Sequence, residues 1–188
     1  MRALLRLFAA LVVFLLADSP AQAQQFWTKS ALLADMFPAS NEVAPVVLTL
    51  DDAQRARFVA LLGYQPPSPA YTVYRARTDA HVDGWVVFDD EVGQHQPITF
   101  AVQLGADGRV VRDEIVVYRE KYGADVRAAR FRDQFVGKAA ADPMVPGKDI
   151  LIVSGATYSS KSLARGVKRA ALIGTLAIEA DAGAPPVR

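Results

Sequence analysis

Between Pro97 and Tyr118 the chain reads as two strands joined by a tight turn, and this pattern limits the fold more than any other. Ile98, Phe100, Val102 and Leu104 alternate with Thr99, Ala101 and Gln103, the period of two expected of a half-buried strand. Ala106-Asp107-Gly108 follows, and Gly108 supplies the positive φ that a short hairpin loop needs. Val110 to Tyr118 then returns. Tyr71 to Arg77 and Gly84 to Phe88 read as two earlier strands. The spacing of these runs fits no βαβ unit, so the expected sheet is an antiparallel meander. Helical segments flank the strands, and the expected class is α+β: a small antiparallel sheet with helices packed on it.

The flanking segments are legible in outline. Gln25 to Met36 reads as a short helix ended by Phe37-Pro38, because the position before proline disfavours helix. Val46 to Leu50 is strand-like. Thr49 or Asp51 is placed to cap a helix from Asp52 to Leu62, which Gly63 stops. Pro66-Pro67-Ser68-Pro69 is a stiff connector. Arg127 to Arg132 reads as an exposed helix face, with Phe131 and Phe135 as its buried stripe. A last helix, Lys161 to Ile178, carries Leu163, Val167, Ala170, Ala171, Gly174 and Ile178 at helical spacing. Lys161, Arg165, Lys168 and Arg169 are expected on its other side. The organisation expected is residues 24–70 as a scaffold, 71–180 as the main domain, and 181–188 as a disordered tail.

Residues 1–23 have the order of a secretory signal peptide. Arg2 and Arg6 precede an apolar run from Leu7 to Ala17, and Ala21-Gln22-Ala23 offers a cleavage site before Gln24. The run is shorter than the ~20 residues of a membrane span; an uncleaved inner-membrane anchor is the alternative. Cleavage would remove Arg2 and Arg6 from 21 basic residues and Asp18 from 20 acidic ones. The remaining 19 of each leave a formally neutral chain, expected in a bacterial periplasm. Charges of both signs are interspersed, so no basic stripe suggests nucleic acid. With no cysteine, thiol catalysis, disulfides and iron–sulfur ligation are excluded. The histidines, His81 and His95, have no second ligand nearby, and no metal site is expected.

One stretch carries chemistry. Ile150 to Val153 is apolar and reads as a buried strand or strand-like approach. Ser154-Gly155-Ala156-Thr157 is a turn of small residues, and Ser159 or Ser160 is placed to cap the helix that follows. Unpaired amides at a helix start favour an anion. Gly155 and Ala156 allow close backbone approach, and the Thr157 hydroxyl stands at the mouth of the turn. On residues alone, an ordinary helix start accounts for the same pattern.

Ser154-Gly155-Ala156-Thr157-Tyr158-Ser159-Ser160 resembles the flavinylation motif of the FMN-binding domain family, Asp-x-x-[Ser/Thr]-Gly-Ala-[Ser/Thr]. That family includes the G subunit of the Rnf electron-transport complex and the C subunit of the sodium-pumping NADH:quinone reductase. The resemblance extends to Tyr118-Arg119-Glu120-x-x-Gly123 and to Phe131-x-x-Gln134-Phe135-x-Gly137-Lys138, in the family's order. It covers about Val73 to Ala171. The position of the motif's Asp is Leu151 here, and the nearest acid, Asp149, lies two residues further upstream.

The resemblance implies that residues 71–180 are an FMN-binding domain with its flavin site at the start of the last helix. It implies FMN held by a phosphoester to Thr157, installed by a flavin transferase that uses FAD and magnesium. Ser154, Gly155, Ala156, Tyr158, Ser159 and Ser160 would form the turn around the phosphate. Tyr158 would pack beside the ring, and Tyr118, Glu120 and Gly123 would border it. Lys161 lies one turn in, within reach of a phosphate. The expected role is an electron carrier with a membrane redox partner, without catalytic residues acting on an organic substrate. Two alternatives stay open: a module that holds FMN non-covalently, and a periplasmic structural or interaction protein without cofactor.

Overall fold

A computed structural model describes residues 23–183. Its order is β1 (Gln24–Gln25), α1 (Lys29–Met36), β2 (Glu42–Thr49), α2 (Asp52–Leu62), β3 (Ala70–Thr78), β4 (His81–Val92), β5 (Pro97–Leu104) and β6 (Val110–Tyr118). Two short 3-10 turns, Ala124–Arg127 and Asp133–Phe135, flank α3 (Ala129–Arg132), and α4 (Thr157–Gly183) ends the described chain. The sheet order is β1-β6-β5-β4-β3-β2, and every pairing is antiparallel. The expected α+β meander is thus observed. Residues 24–70 do not stand apart from it, because β1 and β2 form its two edges.

The best-read elements are those with a local stop at each end. The Asp51 carboxylate accepts from the Gln54 amide at 2.8 Å, Gln54 reciprocates, and Gly63 closes α2 at φ 79°. This is a capping box with a left-handed C-cap. Elsewhere pairing overrides the local reading. Gln24 and Gln25 pair with Tyr118 and Val117, so α1 starts only at Lys29, capped by Thr28. Strand β2 begins at Glu42 and runs through Pro45. Pro45 is tolerated because β2 is an edge strand, with one side free of ladder bonds. The supposed tail is helical as far as Gly183, where Asp181 pairs with Arg75. The segment up to residue 22, which the sequence reads as a signal peptide, and residues 184–188 of the expected tail lie outside the described residues.

Both faces of the sheet are covered. On one, Val73, Val87, Phe100, Val102 and Ile115 pack with Leu163, Val167, Ala170, Ala171 and Ile173 of α4. On the other, Leu32, Met36 and Phe37 cover Ala76, Val86, Ala101 and Val116. Helix α4 lies very close to β4 and β5. A Cβ on Gly166 would meet the Phe100 ring at 2.5 Å. Gly166→Val is therefore expected to lower stability by about 1–3 kcal/mol through overpacking, seen as a lower urea midpoint; an unchanged midpoint would show that the ring yields freely. Arg169 departs from its expected exposed position. It is buried, with Nε 2.6 Å from Asp89, Nη1 2.6 Å from Glu91 and Nη2 donating to the Asp90 carbonyl at 2.8 Å. Among the described residues, no helix is long and apolar enough to cross a membrane.

Candidate functional site

The site is built where the irregular segment after α3 meets the start of α4. Residues 150–153 do not form a strand. Ile150 is buried and makes a single parallel bridge to Pro146, and the residues after it have no ladder. The sheet ends at β1 on one side and at β2 on the other, and this apolar run joins neither edge. Side chains hold it instead. The Leu151 amide donates to Gln134 Oε1 at 2.7 Å, and Gln134 Nε2 donates back to the Leu151 carbonyl at 3.3 Å. This clamp leaves the Leu151 side chain 73% exposed. Asp149 is committed upstream: its carboxylate accepts from the amides of Val145 and Met144 and from Lys138 Nζ. Partial burial would raise its pKa, but these donors outweigh that and lower it.

The turn closes when the Ala156 amide donates to the Val153 carbonyl at 3.0 Å, with Gly155 at φ 79°. Helix α4 then begins at Thr157, four residues earlier than expected. Ser159 and Ser160 are accordingly not caps. Both are buried inside the first turn, where Ser160 Oγ accepts from the Val153 amide at 3.1 Å. The left-handed glycine completes the turn with backbone alone, so no side-chain cap is needed.

Facing this turn is the segment after β6. The Tyr118 hydroxyl donates to the Tyr122 carbonyl at 2.6 Å and lies 2.9 Å from Ser159 Oγ. Burial, more than the nearby Glu120 and Asp125, raises its pKa, with the Ser159 contact opposing, so it stays a neutral donor at physiological pH. Gly123 sits at φ 86°, and a Cβ there would lie 2.7 Å from Ser159 Oγ and 2.9 Å from the Tyr118 hydroxyl. Only glycine fits this approach.

Between the two walls lies a shallow cleft lined by Gln94, Tyr122, Gly123, Gly155, Ala156, Thr157, Tyr158 and Ser159. Six of the residues singled out from sequence therefore meet here. Four do not line it. Ser160 is packed beneath the turn, and Tyr118 supports the wall from behind. Ser154 lines a neighbouring groove of about 370 Å³ together with Arg130, Phe131, Gln134 and Leu151–Val153. The Glu120 carboxylate accepts from the amides of His95 and Gln96 at 2.6 and 2.9 Å and so anchors the β4–β5 loop. Gln94 and Tyr122 were missed by sequence reading. Tyr122 occupies an unspecified position of the Glu120-x-x-Gly123 segment, and nothing local marks it. Among the described residues, no group of three or more His, Asp or Glu side chains is placed to hold a metal.

The donor set fits a phosphate. Thr157 is exposed at the helix start, and the amides of Thr157, Tyr158 and Ser159 find no acceptor among the described residues. Above Gly155, the space that a Cβ would enter is open to 4 Å. Three free amides at the positive end of a 27-residue helix, beside an accessible hydroxyl, make an anion nest.

The comparisons agree with this chemistry. The family model of the FMN-binding domain matches residues 93–172, so β5, β6, the turn and the start of α4 fall in the stretch that is similar to that family, the same stretch that carries the motif resemblance. Among solved structures, NqrC of Shewanella oneidensis is similar, with a TM-score of 0.53 and 15% identity over 81% of this chain and 90% of that one. At that identity the likeness is one of fold. No curated protein matches the chain significantly.

Proposed function

We propose that the protein is an exported flavoprotein that carries FMN by a phosphoester to Thr157 and relays electrons for a membrane-associated redox partner. The observation that carries this reading is the position of the Thr157 hydroxyl: exposed, at the helix start, beside three unpaired amides and within the matched domain. FMN supplies the redox chemistry; the chain supplies position and environment. Loading by a flavin transferase would join Thr157 Oγ to the phosphorus on the riboflavin side of FAD. The anhydride P–O bond breaks, AMP leaves, and the hydroxyl proton is lost. A covalent link suits a carrier that works outside the compartment where flavin is made. The cleft opens to solvent, which leaves a bound ring reachable by a partner. Export rests on the order of residues 1–23, and the N-terminus of the mature protein is expected at Gln24.

A second reading, non-covalent FMN, is favoured by one observation. Leu151 replaces the acid of the motif, and Asp149, bound to two amides and Lys138, does not stand in for it. One experiment separates the readings. The mature chain is co-expressed with a flavin transferase, denatured in acid and weighed. Flavin that stays attached, with the mass of one FMN, supports the phosphoester; flavin released on denaturation supports the second reading; none at any stage removes both. Thr157→Val is expected to abolish attachment while circular dichroism is unchanged, because the swap is near-isosteric at an exposed position. Attached flavin persisting in that variant would move the link to another hydroxyl.

A further inference from the structure

We propose that Tyr122 and Tyr158 are the ring contacts of this cleft, two phenol faces that hold an aromatic heterocycle tethered at Thr157. The inference rests on the reading that FMN is carried there. Tyr122 and Tyr158 are the two aromatic side chains among the large apolar residues left exposed in the described chain, at 71% and 60%. Both line the same cleft. Neither phenol hydroxyl makes a hydrogen bond among the described residues. Tyr158 has no ring partner there, and Tyr122 has only the Lys121 ammonium, 5.5 Å from its centroid. The fold therefore makes little use of either ring, and exposed apolar surface concentrated at one cleft marks a binding site.

The walls that carry the rings are fixed. The Tyr122 carbonyl is held by the Tyr118 hydroxyl at 2.6 Å, and Gly123 is wedged against Ser159. Tyr158 is set by the first turn of α4, next to the attachment residue. A planar heterocycle joined through a flexible chain needs such contacts to lose its freedom, and flat aromatic faces provide large contact at low entropic cost. Tyr118 and Ser159 thereby act as positioning residues for Tyr122.

The test uses the chain loaded by a flavin transferase, with attached FMN counted by mass and fluorescence measured per attached flavin. An electron-rich phenol in van der Waals contact quenches flavin emission. The loaded wild type is expected to be dim relative to free FMN, and Tyr122→Leu and Tyr158→Leu are each expected to brighten it several-fold. Tyr158→Trp gives a second arm that keeps the aromatic bulk, and it is expected to darken the flavin further. A loaded protein whose emission is the same in all variants overturns the ring contacts alone, and would be the result if the ring lay in the neighbouring groove at Arg130 and Leu151. A wild-type chain that takes up no flavin overturns the attachment reading and this inference together.

Discussion

Arg169→Met is expected to lower the unfolding free energy by about 3–5 kcal/mol, the usual cost of removing one partner from a buried ion pair. Arg169 is 6% exposed and is the shared counter-ion of Asp89 and Glu91 on β4. Burial alone would disfavour its charge. The hydrogen bonds and charge of Asp89, then Tyr64 and Glu91, outweigh that and raise its pKa above the ordinary arginine value. Methionine fills similar volume but leaves two carboxylates facing apolar surroundings, with only Arg165 still reaching Glu91. Urea unfolding measures the loss. Adding Asp89→Asn and Glu91→Gln to the variant is expected to recover much of it, because no orphaned charge then remains. A loss below about 1 kcal/mol in the single variant would show that the acids are hydrated after all.

The second large effect concerns Asp113. This side chain on β6 is 1% exposed, and neither carboxylate oxygen accepts a hydrogen bond from another group. Burial raises its pKa to about 8; the Arg132 charge opposes this, and Glu114 and Asp133 add to it. The folded state thus holds a proton that the unfolded chain, titrating near 3.8, has already released. Stability from this group is complete below pH 4 and is lost as pH rises towards 8. Between pH 5 and pH 8 the loss is expected to be about 3–4 kcal/mol, from 1.36 kcal/mol per unit. Asp113→Asn keeps the shape and cannot ionise, so its advantage over the wild type should grow with pH across that window. Parallel pH–stability curves for the two proteins would show that the carboxyl is not protonated in the fold.

Neither effect is visible in the local sequence. Asp113 and Glu114 stand side by side on β6, yet the carboxylate of one has no hydrogen-bond partner and the other pairs with Arg112 and Arg132. Arg169 belongs to a run of basic residues along α4, and its neighbour Lys168 keeps to the surface, donating to the Pro143 carbonyl. What separates them is which side of the helix meets β4. Strand β4 also runs on to Val92, four residues beyond its apolar part. Its acidic end, Asp89 to Glu91, looks like loop until Arg169 is placed beside it.

The candidate site divides in the same way. Short-range chemistry, readable residue by residue, determined the hairpin around Gly108, the capped helix from Asp52 to Leu62, the α+β meander and the hydroxyl turn at Ser154 to Thr157. In each case a neighbour a few positions away supplies the cap, the turn or the alternating pattern. Contacts between distant segments decided the rest. They start α4 at Thr157, bury Ser159 and Ser160, bind Glu120 to the β4–β5 loop, and bring Tyr122 and Tyr158 to one cleft. Those outcomes depend on which hydrogen-bond and packing partners the folded chain brings within a few ångströms, and the order of residues along a strand or loop does not contain that distance.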